Sequence, residues 1–272
     1  MFGAFIIVLR EVIEAGLIVG IVLAATRGVP GRAWWVSFGV AVGVVGAGVV
    51  AVFAGAISQL FEGYGQELFN AAILLLAVGM LAWHNAWMAR HGRELAAEVR
   101  KVGDAVAHGE RPLTALAIVC GVALLREGSE VVLFLYGIVA SGTSGSALLV
   151  GGLLGVAGGI GVTGLSYLGL LIVPQRYIFT VTGWLITLLA AGMAAQAIFY
   201  LNAADVLTLF NTELWDTSGV LSQQSIPGVI LHTLIGYSER PTGLQVIVYI
   251  LTVVGMILLM RYAAPARRQT AA

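Results

Sequence analysis

Two copies of one charged pattern lie inside long apolar stretches of the chain. Each copy reads Arg-Glu-x-x-Glu, and the residues are Arg10, Glu11 and Glu14 in the first copy and Arg126, Glu127 and Glu130 in the second. Glutamates three residues apart on a helix are separated by roughly 60° around its axis, so both carboxylates can face one cavity. The arginine precedes the second glutamate by four residues, a spacing at which helical side chains form ion pairs. Each copy therefore offers two carboxylates and one internal counter-charge.

These residues are suited to bind a hard metal cation. If the two helices meet, four carboxylates converge, and two guanidinium groups neutralise only half of their charge. Di- and trivalent cations prefer such oxygen ligands, and the sequence has no Cys or Met cluster that would favour a soft metal. We predict that the metal ligands are Glu11, Glu14, Glu127 and Glu130, with Arg10 and Arg126 balancing their charge.

Two other roles fit the same residues. A buried ion network would only lock helices together, but buried ion pairs are a poor source of stability, and two matched copies indicate use. A membrane-embedded enzyme could use paired carboxylates for acid-base or metal-assisted chemistry. The sequence has no HExxH, GxSxG or phosphate-cradling loop, so we expect a carrier and not an enzyme, with no organic cofactor. A proton-coupled carrier of another cation stays open.

Composition places these charges in a membrane. Of the 272 residues, 59% are apolar and 10% are charged, and the apolar blocks are long enough to cross the bilayer. The formal net charge is zero, so no overall field recruits nucleic acid. We predict an all-α polytopic membrane protein with seven transmembrane helices, at about residues 2–25, 34–61, 67–90, 113–139, 146–173, 178–201 and 243–262.

The duplicated pattern also indicates an internal repeat. The two copies are 116 residues apart, and the spans that follow them carry glycines at four-residue steps, which let helices approach closely. Because three spans end on the opposite side of the membrane, the second copy would be inverted, as in many secondary carriers. We predict one permease domain over residues 1–272, with repeat one at about 2–90, repeat two at about 113–201, an interfacial or re-entrant outer cap at about 202–240, and a seventh helix at about 243–262.

The distribution of basic residues predicts the orientation. Eleven of the 14 Lys and Arg residues lie in the joints and tail of one side. By the positive-inside rule that side is cytoplasmic, so we expect the N-terminus outside and the C-terminus in the cytoplasm. The basic joint at 91–111 has an apolar stripe at helical spacing, which predicts a helix on the inner membrane surface. A soluble regulatory arm is the alternative for this joint.

The two patterns resemble the Arg-Glu-Gly-Leu-Glu motifs of the FTR1-type iron permeases. The similarity covers essentially the whole chain, and it extends to Trp87-Met88 and Arg90, and to Leu214-Trp215-Asp216 followed by Gly236-Tyr237 and Pro241. The resemblance implies seven helices, iron as substrate, either Fe³⁺ or Fe²⁺, and the four glutamates as its ligands along the path. It also implies the plasma membrane, in particular a bacterial inner membrane.

The chain departs from the family pattern in two ways. Val12 and Ile13 replace Gly-Leu in the first motif and Ser129 replaces Leu in the second, so the metal preference stays open. Some relatives are assigned to lead or other divalent metals, which is the alternative substrate class. Some relatives carry a long extracytoplasmic N-terminal domain, and we expect none here. We therefore expect any ferroxidase or iron-delivery partner to be a separate extracytoplasmic protein, and leave the oligomeric state open.

Further candidates lie at the two ends of the expected path. Acidic residues on the outer side could attract cations or serve as ordinary loop charges, and the candidates for metal entry are Asp216, Glu213, Glu62 and Glu67. His84 and Met88 lie toward the cytoplasmic end of the third predicted span and are candidates for the exit. A hydrogen-bonded structural histidine is the alternative for His84.

Overall fold

The computed structural model describes residues 1–60, 65–169, 175–207, 210 and 212–263. Apart from one isolated antiparallel bridge between Glu213 and Thr242, these residues form helices and connecting loops. The helices are α1 (Phe2–Ala25), α2 (Arg32–Leu60), α3 (Gln66–Ala107), α4 (Thr114–Ala140), α5 (Gly145–Tyr167), α6 (Gln175–Ala203), α7 (Ile226–Ile235) and α8 (Gly243–Ala263). The prediction of an all-α protein is confirmed for this part of the chain.

Five of these helices are long and apolar enough to cross a membrane, namely α2, α3, α5, α6 and α8. Helices α1 and α4 have 24 and 27 residues, and each carries the three charges of one Arg-Glu-x-x-Glu motif. A long helix therefore occupies each of the seven predicted positions. Large apolar side chains on the outside of the bundle, such as Val52, Phe53 and Leu153, are about 70% exposed, as expected for a surface that faces lipid.

Helix α3 differs from the prediction, because it continues without a break through 42 residues to Ala107. The apolar stripe of the 91–111 joint packs on other helices of the protein. Val99 and Val106 are buried against Val22 of α1 and Leu116 of α4. The candidate membrane span of α3 ends at Met88, within two residues of the predicted end at 90. The helix continues through the charged residues at 90–101 because most of them are good helix formers, and packing against α1 and α4 keeps this half of α3 in the bundle.

Helices of the first half of the chain pack against helices of the second half. Helix α1 packs along α5, and α2 packs along α4. Glycines make both contacts close: a Cβ added at Gly155 would lie 2.9 Å from the carbonyl oxygen of Phe5, and one added at Gly43 would lie 2.7 Å from that of Gly121. The small-residue steps seen in the sequence are therefore helix–helix contact surfaces.

Two apolar clusters lie on opposite sides of the charged motifs along the helices. One contains Ile7 of α1, Leu81 of α3 and Phe134 of α4, and the other contains Val22, Val99 and Cys120 of the same three helices. Because the motifs lie between these positions in sequence, their charges form a polar layer between two apolar layers. Such a layer is costly in a membrane protein and is typical of a substrate site.

The expected outer cap contains a short helix, α7. Its ten residues are too few to cross the bilayer, and it packs on α6. The Ser225 side chain caps its start by accepting a hydrogen bond from Gly228 N at 3.1 Å. Gly236 ends it with a φ of 70°, a conformation that glycine adopts without strain, and its Cα packs against Gly192 of α6.

Candidate metal centre

The first motif is buried in the middle of α1. Arg10, Glu11 and Glu14 are each less than 5% exposed. Arg10 Nε lies 2.9 Å from Glu14 Oε1, so this pair forms the i,i+4 bridge that the spacing predicted. Arg10 Nη1 lies 3.9 Å from Glu11 Oε1, and both carboxylate oxygens of Glu11 make no hydrogen bond within the described residues. The first motif therefore has one carboxylate with a close arginine partner and one that has only longer ion-pair approaches and no hydrogen bond.

The second motif repeats this arrangement on α4 with a more accessible arginine. Arg126 Nε lies 3.2 Å from Glu130 Oε1 and 3.9 Å from Glu127 Oε1. The Arg126 side chain is 35% exposed, and its guanidinium carbon lies 4.3 Å from the centre of the Trp87 ring on α3. That distance is typical of a cation–π contact, which holds the arginine toward α3. Glu127 is buried, and its Oε2 makes no hydrogen bond to the described residues.

His84 of α3 lies between the two motifs. Its Nε2 is 3.2 Å from Glu14 Oε2 and 3.7 Å from Glu11 Oε2, whereas its Nδ1 contacts Glu130 Oε2. The sequence placed His84 toward the cytoplasmic exit, but the structure places its ring at the centre of the cluster. Met88, the other exit candidate, lies one helical turn further along α3 and is partly buried.

The cluster has the donor set of a cation site. One ligand atom from each of Glu11, His84, Glu127 and Glu130 lies within 4.8 Å of the other three. Ligand atoms held about 2.0 to 2.2 Å from one metal ion lie roughly 3 to 4.4 Å apart, so small side-chain movements would close this group on an ion. The unpaired oxygens of Glu11 and Glu127 are available for such a bond, and buried carboxylates without hydrogen bonds are otherwise costly. Glu14 joins the cluster through Arg10 and His84.

Two cavities reach these carboxylates. The first, of about 690 Å³, lies among α1, α2, α4 and α5, is mainly apolar, and includes Glu11 and Glu127 in its lining. The second, of about 320 Å³, lies between α1, α4 and the C-terminal half of α3, and is lined by Arg126, Glu127 and Glu98. The second cavity borders Arg126, which agrees with the greater exposure of this side chain.

The outer candidates are not brought together with this cluster. Asp216 and Arg240 form an exposed pair at 3.0 Å, and the Ser218 hydroxyl donates to Asp216 Oδ1 at 2.6 Å. This hydrogen bond, with the nearby Arg240 charge, lowers the pKa of Asp216. Glu213 is exposed and borders a polar cavity of about 550 Å³ between α6, the cap and α8, and Glu67 is exposed in the first turn of α3. Glu62 lies outside the described residues.

Sequence reasoning missed that a third helix completes the cluster. His84 and the neighbouring Asn85 are both buried, and Asn85 Nδ2 has no hydrogen bond within the described residues. Two adjacent polar side chains inside a predicted span are the signal that could have identified α3 as part of the site.

Known proteins resemble this chain over nearly its whole length. The model of the iron permease FTR1 family matches residues 1–266. The ferrous iron permease EfeU of Escherichia coli O6:H1 (strain CFT073) is 31% identical, with 98% of this chain and 99% of that protein covered. The ferrous iron permease EfeU of Yersinia pestis is 30% identical, with 95% and 93% covered. No solved structure gives a significant match. With the family match over nearly its whole length, this membrane chain belongs to the iron permease FTR1 family.

Proposed function

We propose that this permease carries ferrous iron across the plasma membrane into the cytoplasm, and that Glu11, Glu14, Glu127 and Glu130 are its ligands along the path. The observation that carries the proposal is the single buried cluster that these four carboxylates share with His84. The names of the EfeU relatives specify ferrous iron, which favours Fe²⁺ over Fe³⁺ as the substrate. Lead and other divalent metals are the alternative substrates.

The carboxylates would replace part of the water shell of the ion as it enters the apolar interior. Four glutamates carry more negative charge than Arg10 and Arg126 neutralise, so a divalent cation balances the cluster. Arg10 pairs closely with Glu14 and approaches Glu11 only at 3.9 Å, and Arg126 does the same for Glu130 and Glu127. Each motif thus keeps one carboxylate for the ion while the arginine orients the other.

The packing of α1 on α5 and of α2 on α4 supports the inverted 3 + 3 repeat with a seventh helix. If α1, α2 and α3 correspond to α4, α5 and α6, the packing of α1 on α5 corresponds to the packing of α4 on α2. A two-fold axis between α1 and α4 would relate the two contacts and bring the two motifs to one depth. We propose repeats at about 2–90 and 113–201, the cap at about 202–240 and the seventh helix at about 243–262, in one domain.

The cavity beside Arg126 and Glu127 supports an inward route. It follows the half of α3 that leads to the basic 91–111 segment, which the positive-inside rule assigns to the cytoplasm. The N-terminus would then be outside and the C-terminus inside. Ions would enter from the cap side, where Glu213 borders the polar cavity. A ferroxidase or iron-delivery protein would act from that side as a separate partner.

Uptake into proteoliposomes tests this function. Wild-type protein should accumulate Fe²⁺ supplied with a reductant, and Glu127→Gln and Glu130→Gln should each lower the initial rate at least tenfold while the protein still inserts. Glu94→Gln is the matched control, because Glu94 is an exposed carboxylate on α3 outside the cluster. A panel with Fe³⁺, Mn²⁺ and Pb²⁺, each with and without a pH gradient, defines the substrate and the coupling. Wild-type rates in both cluster variants would refute the ligand roles.

A further inference from the structure

His84 contacts carboxylates of both motifs through opposite sides of its ring. Nε2 faces Glu14 of α1 at 3.2 Å, and Nδ1 faces Glu130 of α4. The side chain is 3% exposed and belongs to α3, which carries neither motif. It is the single nitrogen ligand in the metal-ligating group found among the described residues. The two ring nitrogens of His84 therefore connect a carboxylate of the first motif with a carboxylate of the second.

A purely structural bridge does not account for the whole arrangement. His84 leaves the oxygens of Glu11 without a hydrogen bond, although its Nε2 is only 3.7 Å from Glu11 Oε2. Glu127 Oε2 is likewise unpaired and belongs to the same group of ligand atoms. Buried carboxylates that only served packing would be expected to have their own donors. Open oxygens around a histidine ring are the arrangement expected of a site that closes on a cation.

We infer that His84 is a ligand of the transported ion and selects divalent first-row transition cations over Mg²⁺ and Ca²⁺, an inference that rests on the proposed function. One ring nitrogen would bind the ion while the N–H of the other donates to Glu14 or Glu130, which orients the ring. Imidazole suits iron and its neighbours in the periodic table, whereas Mg²⁺ and Ca²⁺ prefer sites made only of oxygen. Three carboxylates alone would bind all these cations with less discrimination.

Metal binding by the full-length protein in detergent tests this role. Co²⁺ serves as an air-stable probe, followed by its visible absorption, with Mg²⁺ as competitor. His84→Gln should weaken Co²⁺ binding by at least roughly tenfold to a hundredfold, the loss that removing even an outer-shell partner of a metal ligand typically causes. Mg²⁺ binding should change by less than about threefold, so selectivity falls. His108→Gln, at the exposed end of the same helix, is the control and should bind both ions as the wild type does.

A second measurement keeps the inference testable if His84→Gln does not fold. X-ray absorption of the wild-type Co²⁺ complex should show the outer-shell scattering of one imidazole, and its absence would overturn the ligand role. Unchanged Co²⁺ binding by folded His84→Gln would overturn it as well. The two proposals fail separately. If the double variant Glu11→Gln/Glu127→Gln abolishes Co²⁺ binding whereas His84→Gln does not, the carboxylate site is supported and the ligand role of His84 is refuted. If wild-type protein binds no Co²⁺, the proposed function is refuted together with this inference.

Discussion

Replacing Glu11 and Glu14 by glutamine, one at a time, separates what each carboxylate does for the fold from what it does for the ion. Both lie in the same buried motif, yet their surroundings differ. Glu14 receives Arg10 Nε at 2.9 Å and lies 3.2 Å from His84 Nε2. Glu11 has only longer approaches, 3.9 Å to Arg10 and 3.7 Å to His84. We expect Glu14→Gln to destabilise the protein and Glu11→Gln to leave its stability nearly unchanged.

The magnitudes follow from these distances. At an effective dielectric constant of about 20, two unit charges about 4 Å apart attract by about 4 kcal/mol. Removing a buried carboxylate from water costs several kcal/mol, so for Glu11 the attraction and the desolvation nearly cancel. Its replacement should change the free energy of unfolding by about 1 kcal/mol or less. Glu14→Gln leaves the Arg10 charge buried without its partner, which typically costs about 3 to 5 kcal/mol.

Thermal unfolding in detergent, followed by helical circular dichroism, measures the difference. At a few degrees per kcal/mol for a chain of this size, Glu14→Gln should melt on the order of 10 °C lower than the wild type. Glu11→Gln should melt within a few degrees of it and still lose at least tenfold in iron uptake, about 1.4 kcal/mol. Equal losses of thermal stability in the two variants would show that the missing hydrogen bonds of Glu11 do not determine how much it contributes to stability relative to Glu14. Normal uptake by Glu11→Gln would remove it from the ligand set.

Two further changes have matched controls on the same helix. Gly155→Ala should lower the melting temperature in the same assay, because a Cβ there would lie 2.9 Å from a backbone oxygen of α1. Gly152→Ala has open space within 4 Å and should be neutral or slightly stabilising, since alanine is the better helix former. A similar loss in both glycine variants would exclude the close contact with α1 as the cause. Trp87→Leu should slow uptake by a fewfold, because it removes the aromatic ring 4.3 Å from the guanidinium carbon of Arg126 and a contact worth about 0.5 to 2 kcal/mol. Trp83→Leu, at a position 74% exposed, should transport normally, and equal rates in the two tryptophan variants would exclude the ring contact as the cause.

Hydropathy predicted the positions of the long helices because the bilayer sets the length of an apolar block. It also predicted the end of the α3 span, because the apolar stretch ends at Met88, within two residues of the predicted end at 90. It did not predict that the helix continues without a break to Ala107. His84 precedes the end of this span by four residues, which is why the sequence predicts a position near the exit. Its contacts with Glu14 and Glu130 depend on how α3 packs on α1 and α4, which hydropathy does not describe.

Spacing predicted the internal geometry of each motif, because i,i+4 pairing is a local property of a helix. Arg10 pairs with Glu14 and Arg126 with Glu130, as their spacing implies. Spacing carries no information on which helix lies opposite. The contacts of His84 with Glu14 and Glu130 join residues 70 and 46 positions apart in the chain. They could be read only from the fold.

The replacement of glycine by Val12 in the first motif is explained by the facing helix. Val12 lies against Gly159 of α5, where an added Cβ would be 2.6 Å from a Val12 methyl group. In the second motif the matching position is Gly128, and it lies against Ala47 of α2, whose Cβ would be 2.5 Å from an added one. The larger side chain of the contact is thus on the motif helix in the first half of the chain and on the facing helix in the second half. Because helices pack by the summed volume at a contact, a departure within the motif says little about the metal until the residue facing it is known.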